Sequence, residues 1–404
     1  MKRHPGQRKP HGTAGSQKKA PGVSVPMCDL RVLLDAAPEW QLYLREVFDS
    51  GQFVLARQVA AFEREFARWL GASYAVGVGS GTDALVMSLR CAGVSEAEQE
   101  VLTSALTSPY TALAILAAGA TPRFADINPE TLLLDPEDAA QRITPNTAAI
   151  LPVHLYGQVC ALDRFLDLAR MAAAALIQDA CQAHGARYRG RPLADFSPCV
   201  AYSFYPTKNL GCLGDGGAIV TNDTATAERA RCLREGGRRG DQIAWIRGIN
   251  SRLDEIQACF LRAFLPHVEE WNSQRRQTAA VYDALLRGCE MIQPVARGPD
   301  SVCHLYVIRT PHRDALREWL AQRGIAAGIH YPAPLHWHPA FRSCGLRKGD
   351  LPHAERACGE VLSLPLWPGM PESMVEQVAD AIKDFERLAA ARKLVVRTAS
   401  QQHY

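Results

Sequence analysis

From residue 72 onward the chain alternates short apolar, β-branched runs with segments whose apolar residues recur at helical spacing. "YAVGVGS" predicts a strand and "GTDALVMSLRCAG" a helix; "EVLTSAL" and "PYTALAILAAGA" repeat the pair. The pattern continues through "PRFADI", "TAAILPVHLYG", "CALDRFLDLARMAA", "AALIQDAC", "CVAYSFYP" and "GAIVTND". Strand–helix alternation on this scale predicts an α/β fold, a mainly parallel sheet covered by helices on both faces, with ligands collecting at the carboxyl ends of the strands. After "SRLDEIQACFLRAFLPHVEEWNSQRRQTAAVYDALL" the pattern turns to a long helix and a shorter mixed segment containing "HLYVIRT" and "VLSLPLWP". The expected organisation is a large unit over 25–264, a smaller C-terminal α/β unit over 265–390, and tails over 1–24 and 391–404. No internal repeat is visible.

Charge narrows the choice of partner. The first 24 residues hold Lys2, Arg3, Arg8, Lys9, Lys18 and Lys19 and no acid, so a chain of net charge +3 is −3 over the remainder. A basic footprint confined to a Pro/Gly-rich tail that cannot build a core argues against nucleic acid as the main partner. The tail lacks the apolar stretch of a signal peptide, and no apolar run reaches the roughly 18 residues of a membrane helix. The 12 cysteines are scattered from Cys28 to Cys358 without a C-x-x-C pair and read as small buried hydrophobes in a reducing cytoplasm. "HYPAPLHWHPAF" gathers His330, His336 and His338, a possible zinc set, but prolines force an extended path and no acid interleaves, so a substrate-lining loop fits at least as well. No metal is expected.

Three strand ends carry candidate chemistry. In "VGVGSGTDAL" a strand breaks into Gly79, Ser80, Gly81 and Thr82 just before a helix, which makes either a phosphate site or simply a capped helix. In "LIQDACQAHG" an apolar strand ends at Asp179, followed by Gln182 and His184. A carboxylate there needs a positive partner, either an arginine or a protonated pyridine nitrogen. In "SFYPTKNLGCLGDGG" Lys208 follows the strand that carries Ser203 and runs into a glycine-rich turn shaped for close approach. An amine near a phosphate cradle and a buried carboxylate is the set that holds pyridoxal phosphate, with Lys208 carrying its aldehyde as a Schiff base.

The ordered motifs "GSGTDAL", "DACQAHGA", "SFYPTKNLGCLGDGGAIVTND", "GINSRLDEIQA", "HLYVIR" and "IHYPAPLH" resemble the nucleotide-sugar aminotransferases of the DegT/DnrJ/StrS type, fold-type-I pyridoxal phosphate enzymes, over about residues 40 to 390. The resemblance implies that Lys208 binds the cofactor, Asp179 pairs with its ring nitrogen and Gln182 lies by its ring hydroxyl. It also implies that Gly81, Thr82 and Ser203 hold the phosphate and that Asn250 of one subunit reaches the other's phosphate in a homodimer with shared sites. Ser108 stands where such enzymes carry an aromatic that stacks on the pyridine, with Tyr110 as a possible substitute. L-glutamate is the implied donor, and the stretch around His330 and Tyr331 is most similar to members acting on dTDP-3-keto-6-deoxyhexoses. These two residues either line the sugar site or pack at the seam between units. A 4-keto sugar, a UDP-linked 3-keto sugar acid, and a regulatory protein on the same fold remain alternatives. The dehydratase pattern, with histidine in place of the lysine, is excluded by Lys208.

Overall fold

A computed structural model of the chain describes residues 22–240 and 243–391. The basic tail expected over 1–24 lies outside these residues except for its last three, and the C-terminal tail except for residue 391.

Seven strands form the main sheet: β1 (Tyr74–Val78), β2 (Glu100–Ser104), β3 (Thr121–Ala125), β4 (Thr147–Leu151), β5 (Ala175–Asp179), then, beyond a small hairpin of β6 (Arg187–Tyr188) and β7 (Arg191–Pro192), β8 (Cys199–Ser203) and β9 (Gly217–Thr221). Their spatial order is β1-β9-β8-β5-β4-β2-β3. The pairings among β3, β2, β4, β5 and β8 are parallel, whereas β9 runs antiparallel to both β8 and β1. The mainly parallel sheet read from the sequence is therefore present, with one reversed strand that apolar patterning alone does not distinguish.

Side-chain alternation explains the layers, because successive residues of a strand face opposite sides. Val200 and Tyr202 join Phe62, Phe66 and Phe264 in one core, while Cys199 and Ala201 join Leu85, Leu89 and Ile115 in the other. Both faces are thus buried, which is why these strands read as continuous apolar runs rather than alternating ones.

The chain leaves the sheet through helices Glu255–Phe264 and Val268–Leu285 and builds a second sheet from β10 (Gln293–Pro294), β11 (Tyr306–Arg309) and β12 (Val361–Leu364), all antiparallel. Helices Arg313–Ala321 and Glu372–Ala391 cover it around Tyr282, Tyr306, Leu320 and Ile382, with the two tyrosine rings stacked at 4.7 Å. Residues 24 and 25, at the boundary between the expected tail and the large unit, run along this smaller unit instead. The Ser24 and Val25 amides donate to the Gly324 carbonyl, and Val25 packs in the core with Leu320 and Ile325. Among the described residues no helix is long and apolar enough to cross a membrane, and all 12 cysteines are free.

Candidate active site

The carboxyl ends of β1, β5 and β8 lie close together in the sheet, and their following segments build the floor of the site. After β1, Ser80 caps helix Gly81–Cys91 by accepting from the Asp83 amide at 3.1 Å. The amides of Gly81 and Thr82, in the first turn, have no carbonyl within their own helix to bond and sit at its positive end. Gly81 is required here: a Cβ on it would lie 2.5 Å from the Ser203 Cβ and 3.1 Å from the Cys181 sulfur. The structure therefore brings Gly81, Thr82 and Ser203 together, as a phosphate cradle needs. Asp83 is braced from behind by Ser251, whose hydroxyl donates to it at 2.7 Å and accepts from the Gly79 amide at 2.9 Å. Asn250, the neighbour of Ser251, is exposed.

Asp179 closes β5 and is 4 % exposed. One carboxylate oxygen accepts from the Thr111 hydroxyl at 2.9 Å and the other from the Cys181 amide at 3.1 Å. Among the described residues no arginine pairs with it, so its carboxylate is held by neutral donors rather than by the arginine the sequence also allowed. Gln182 lies one turn on, its amide oxygen accepting from the Tyr156 backbone at 2.7 Å and its amide nitrogen donating to the Tyr331 hydroxyl at 3.3 Å.

Lys208 sits in the turn between β8 and β9. The turn is tight: the Lys208 amide donates to the Tyr205 carbonyl at 2.8 Å, the Cys212 amide to the Phe204 carbonyl at 2.8 Å, and a Cβ on Gly211 would lie 2.5 Å from the Pro206 carbonyl oxygen. The Lys208 amine forms no ion pair or hydrogen bond among the described residues. Burial pulls its proton affinity below that of an ordinary lysine, against an opposing attraction from Cys181 and Asp179. A buried amine of lowered proton affinity, a buried carboxylate and a helix start whose Gly81 and Thr82 amides lack partners within the helix form a donor set that fits pyridoxal phosphate.

The roof comes from the smaller unit. The His330 imidazole bonds to the Ser363 hydroxyl at 2.9 Å, the Tyr156 hydroxyl donates to the His330 carbonyl, and the Leu335 amide donates to the Ala105 carbonyl at 2.8 Å, beyond the end of β2. Burial, helped by Lys208, pushes the His330 imidazole down to about 4, so it is neutral near pH 7. Burial likewise pushes the Tyr331 phenol up to about 12. The three histidines of this stretch diverge: His336 bonds to Glu355 at 3.0 Å and His338 packs on Phe341. Among the described residues no group of three or more His, Cys, Asp or Glu side chains could hold a metal.

Sequence reasoning missed Thr111, Cys181, Asn209 and Tyr156. It singled out Ser108 and Tyr110, yet the Ser108 hydroxyl serves as the cap of helix Pro109–Ala118 and Tyr110 is 64 % exposed, while Thr111, one residue further, holds Asp179.

Comparison with known proteins shows the family. A dTDP-3-amino-3,4,6-trideoxy-alpha-D-glucose transaminase of Streptomyces venezuelae is 42 % identical over 364 residues, 89 % of this chain and 96 % of its own. A pleiotropic regulatory protein of Geobacillus stearothermophilus is 41 % identical over 370 residues, 90 % of this chain and 99 % of its own. The crystal structure of S. venezuelae DesV in complex with a ketimine intermediate superposes with a TM-score of 0.87 at 41 % identity, covering 90 % of this chain and 98 % of that one. The profile of the DegT/DnrJ/EryC1/StrS aminotransferase family matches residues 35–383, and with an unpaired lysine, a buried carboxylate and a helix start meeting at one sheet edge, the chain belongs to that family.

Proposed function

We propose that this chain is a pyridoxal-phosphate-dependent aminotransferase that converts a nucleotide-linked keto sugar, a dTDP-3-keto-6-deoxyhexose, to the 3-amino sugar with L-glutamate as donor. The observation that carries the reading is the convergence of the unpaired Lys208 amine, Asp179 and the Gly81–Thr82 helix start at one sheet edge. Similarity to the Streptomyces transaminase supports the choice of sugar and carrier. The regulatory name of the Geobacillus relative keeps a second reading in view, but a purely regulatory protein would need neither Lys208 nor Asp179.

Gly81, Thr82 and Ser203 would hold the cofactor phosphate, Asp179 the ring nitrogen, Gln182 the ring oxygen and Lys208 the aldehyde. When bound, the cofactor supplies a carbonyl that accepts an amino group and an electron sink for the carbanion left by proton removal. The chain's own residues do the rest. Asp179 keeps a proton on the ring nitrogen, since a carboxylate fixed by Thr111 and Cys181 favours the charged pyridinium. The Lys208 amine, with its lowered proton affinity, takes the α-proton of the donor and returns a proton on the acceptor side. His330 and Tyr331 line the sugar side from the roof and decide which carbonyl faces Lys208, because transfer needs the carbonyl in a near-attack geometry.

The working unit is a homodimer with Asn250 completing the partner's phosphate site. Phe48, Phe53, Val54 and Leu213 are exposed apolar residues gathered near the start of helix Glu255–Phe264, where the Glu255 amide meets the Phe53 carbonyl and the Leu213 amide donates to Gln257 at 3.0 Å. Such a face beside the site calls for cover by a second copy. Twelve free thiols suit the reducing cytoplasm as the place of work. The unit boundary falls near residue 265.

The test is incubation of purified protein with glutamate and dTDP-linked 3-keto and 4-keto 6-deoxyhexoses or a UDP-linked 3-keto sugar acid, with the product read by NMR. Amination at carbon 3 of the dTDP sugar is expected. Turnover of the 4-keto sugar alone would overturn the carbon assignment, and no transfer to any acceptor would overturn the transferase reading.

A further inference from the structure

The residue after the lysine is the centre of a buried polar network that the reaction as described does not use. Asn209 is 2 % exposed, and its amide nitrogen donates twice, to the Asn272 side-chain oxygen at 2.7 Å and to the Val302 carbonyl at 3.0 Å. That orientation leaves its amide oxygen facing His304 Nδ1 at 2.9 Å. An amide oxygen only accepts, so His304 carries its proton on Nδ1 and donates. Asn272 continues the chain, donating to the His184 carbonyl at 2.9 Å, and the His304 amide donates to the Tyr156 carbonyl at 3.0 Å. The network thus ties four segments together: the turn holding Lys208, the segment after Asp179, the 302–304 stretch and helix Val268–Leu285.

We propose that Asn209 and His304 are positioning residues for Lys208, clamping the lysine's turn to the helix and strand entry of the smaller unit so that its amine stands at a fixed place over Asp179. Both amide hydrogens and the amide oxygen of the Asn209 side chain are matched, and a matched buried network specifies one arrangement more sharply than apolar packing does. The surroundings keep His304 neutral: burial, with Lys208, Arg275, His184 and His330 around it, holds its imidazole well below the ordinary value. A neutral imidazole keeps a second cation away from the Lys208 amine. The inference rests on the aminotransferase reading, because it concerns the lysine of that site.

The experiment compares wild type with Asn209→Ala, His304→Phe and His304→Asn, whose amide can replace the Nδ1 donor. Two quantities are read: pyridoxal phosphate affinity, by fluorescence titration, and the pH midpoint of the bound cofactor's visible band. Asn209→Ala and His304→Phe are expected to weaken affinity about tenfold and to shift the midpoint, with His304→Asn recovering most of both. Wild-type affinity and midpoint in both variants, with only a lower melting temperature, would overturn the proposal by reducing the network to packing. Should Asn209→Ala not fold, Asn209→Asp keeps the acceptor for His304 and loses both donors; the same shifts support the clamp and their absence overturns it. A wild type that takes up no pyridoxal phosphate would instead defeat the aminotransferase reading, and this inference with it.

Discussion

The floor and the roof of the site are built differently. The floor, from Gly81 through Asp179 to Ser203 and Lys208, stands at the ends of strands buried on both faces, with Asp179 held by Thr111 of helix Pro109–Ala118 and by the Cys181 amide. The roof, around His330 and Tyr331, is a proline-rich loop reaching across from the smaller unit, held by Ser363, Tyr156 and Ala105. Under the proposed function, a site split in this way would separate chemistry from choice, the rigid sheet fixing the reacting atoms and the loop setting which substrate is presented to them. The division of labour follows from rigidity, since strand ends hold side chains more exactly than loops and loops change more freely.

That division can be broken by experiment. Lys208→Ala, on the floor, is expected to lose at least about 1,000-fold in turnover and the visible band that reacts with borohydride. A reducible band surviving in this variant would move the cofactor's attachment elsewhere. Asp179→Asn should fold, since its one amide oxygen can accept from the Cys181 amide while its NH2 donates to the Thr111 hydroxyl, which can accept as well as donate, yet lose roughly 100- to 1,000-fold in both half-reactions. Near-normal rates with glutamate would remove Asp179 from the role given to it.

Acid acts on the buried histidines of floor and roof alike, His330 included. Burial pushes His154 down to about 4 and His184, behind the floor, to about 3. Because these folded values lie below the unfolded value of about 6.5, the unfolded chain binds protons that the folded one refuses. Their contribution is intact above pH 6.5 and is lost as the pH falls toward 4 and then 3, worth about 3 kcal/mol from His154 alone. Denaturant titrations at pH 7 and pH 4.5 measure this, and a stability unchanged between them would refute it. The smallest effect belongs to the roof: Tyr331→Phe is expected to raise KM for the keto sugar about fivefold and to leave the glutamate half-reaction near wild type. Equal losses in both halves would erase the distinction between floor and roof.

The same contrast separates what a reader of the sequence could find from what only the fold reveals. Asp179 and Lys208 were legible because each stands at or just past the end of an apolar run, with Ser203 on the same segment as Lys208, and Gly81 because a Gly/Ser break at a helix start signals an anion site. Thr111, Asn209 and His304 were not, since their partners lie 68 residues away in one case and 95 in the other, and no local pattern encodes such a distance. The reversal of β9 was hidden for a related reason: a strand buried on both faces carries the same apolar run in either direction. His336 looked like part of a ligand set with His330 and His338, but its partner is Glu355 on helix Pro352–Glu360. The N-terminal pairing with Gly324 had no signal, because residues 24 and 25 find their place only after 300 further residues have folded.

The His336–Glu355 pair also bears on attempts to exchange specificity between relatives by transplanting the roof. Glu355 receives the Gly349 amide as well as His336, and the loop's entry is sewn to Ser363 through Gly328 in both directions. A swap of residues 330–338 alone would leave the half-buried Glu355 facing a foreign side chain and the Ser363 hydroxyl facing a foreign residue at 330. The exchangeable cassette runs from Gly328 to Ser363, and chimeras joined at those two positions should inherit the donor's substrate while keeping the recipient's catalytic floor.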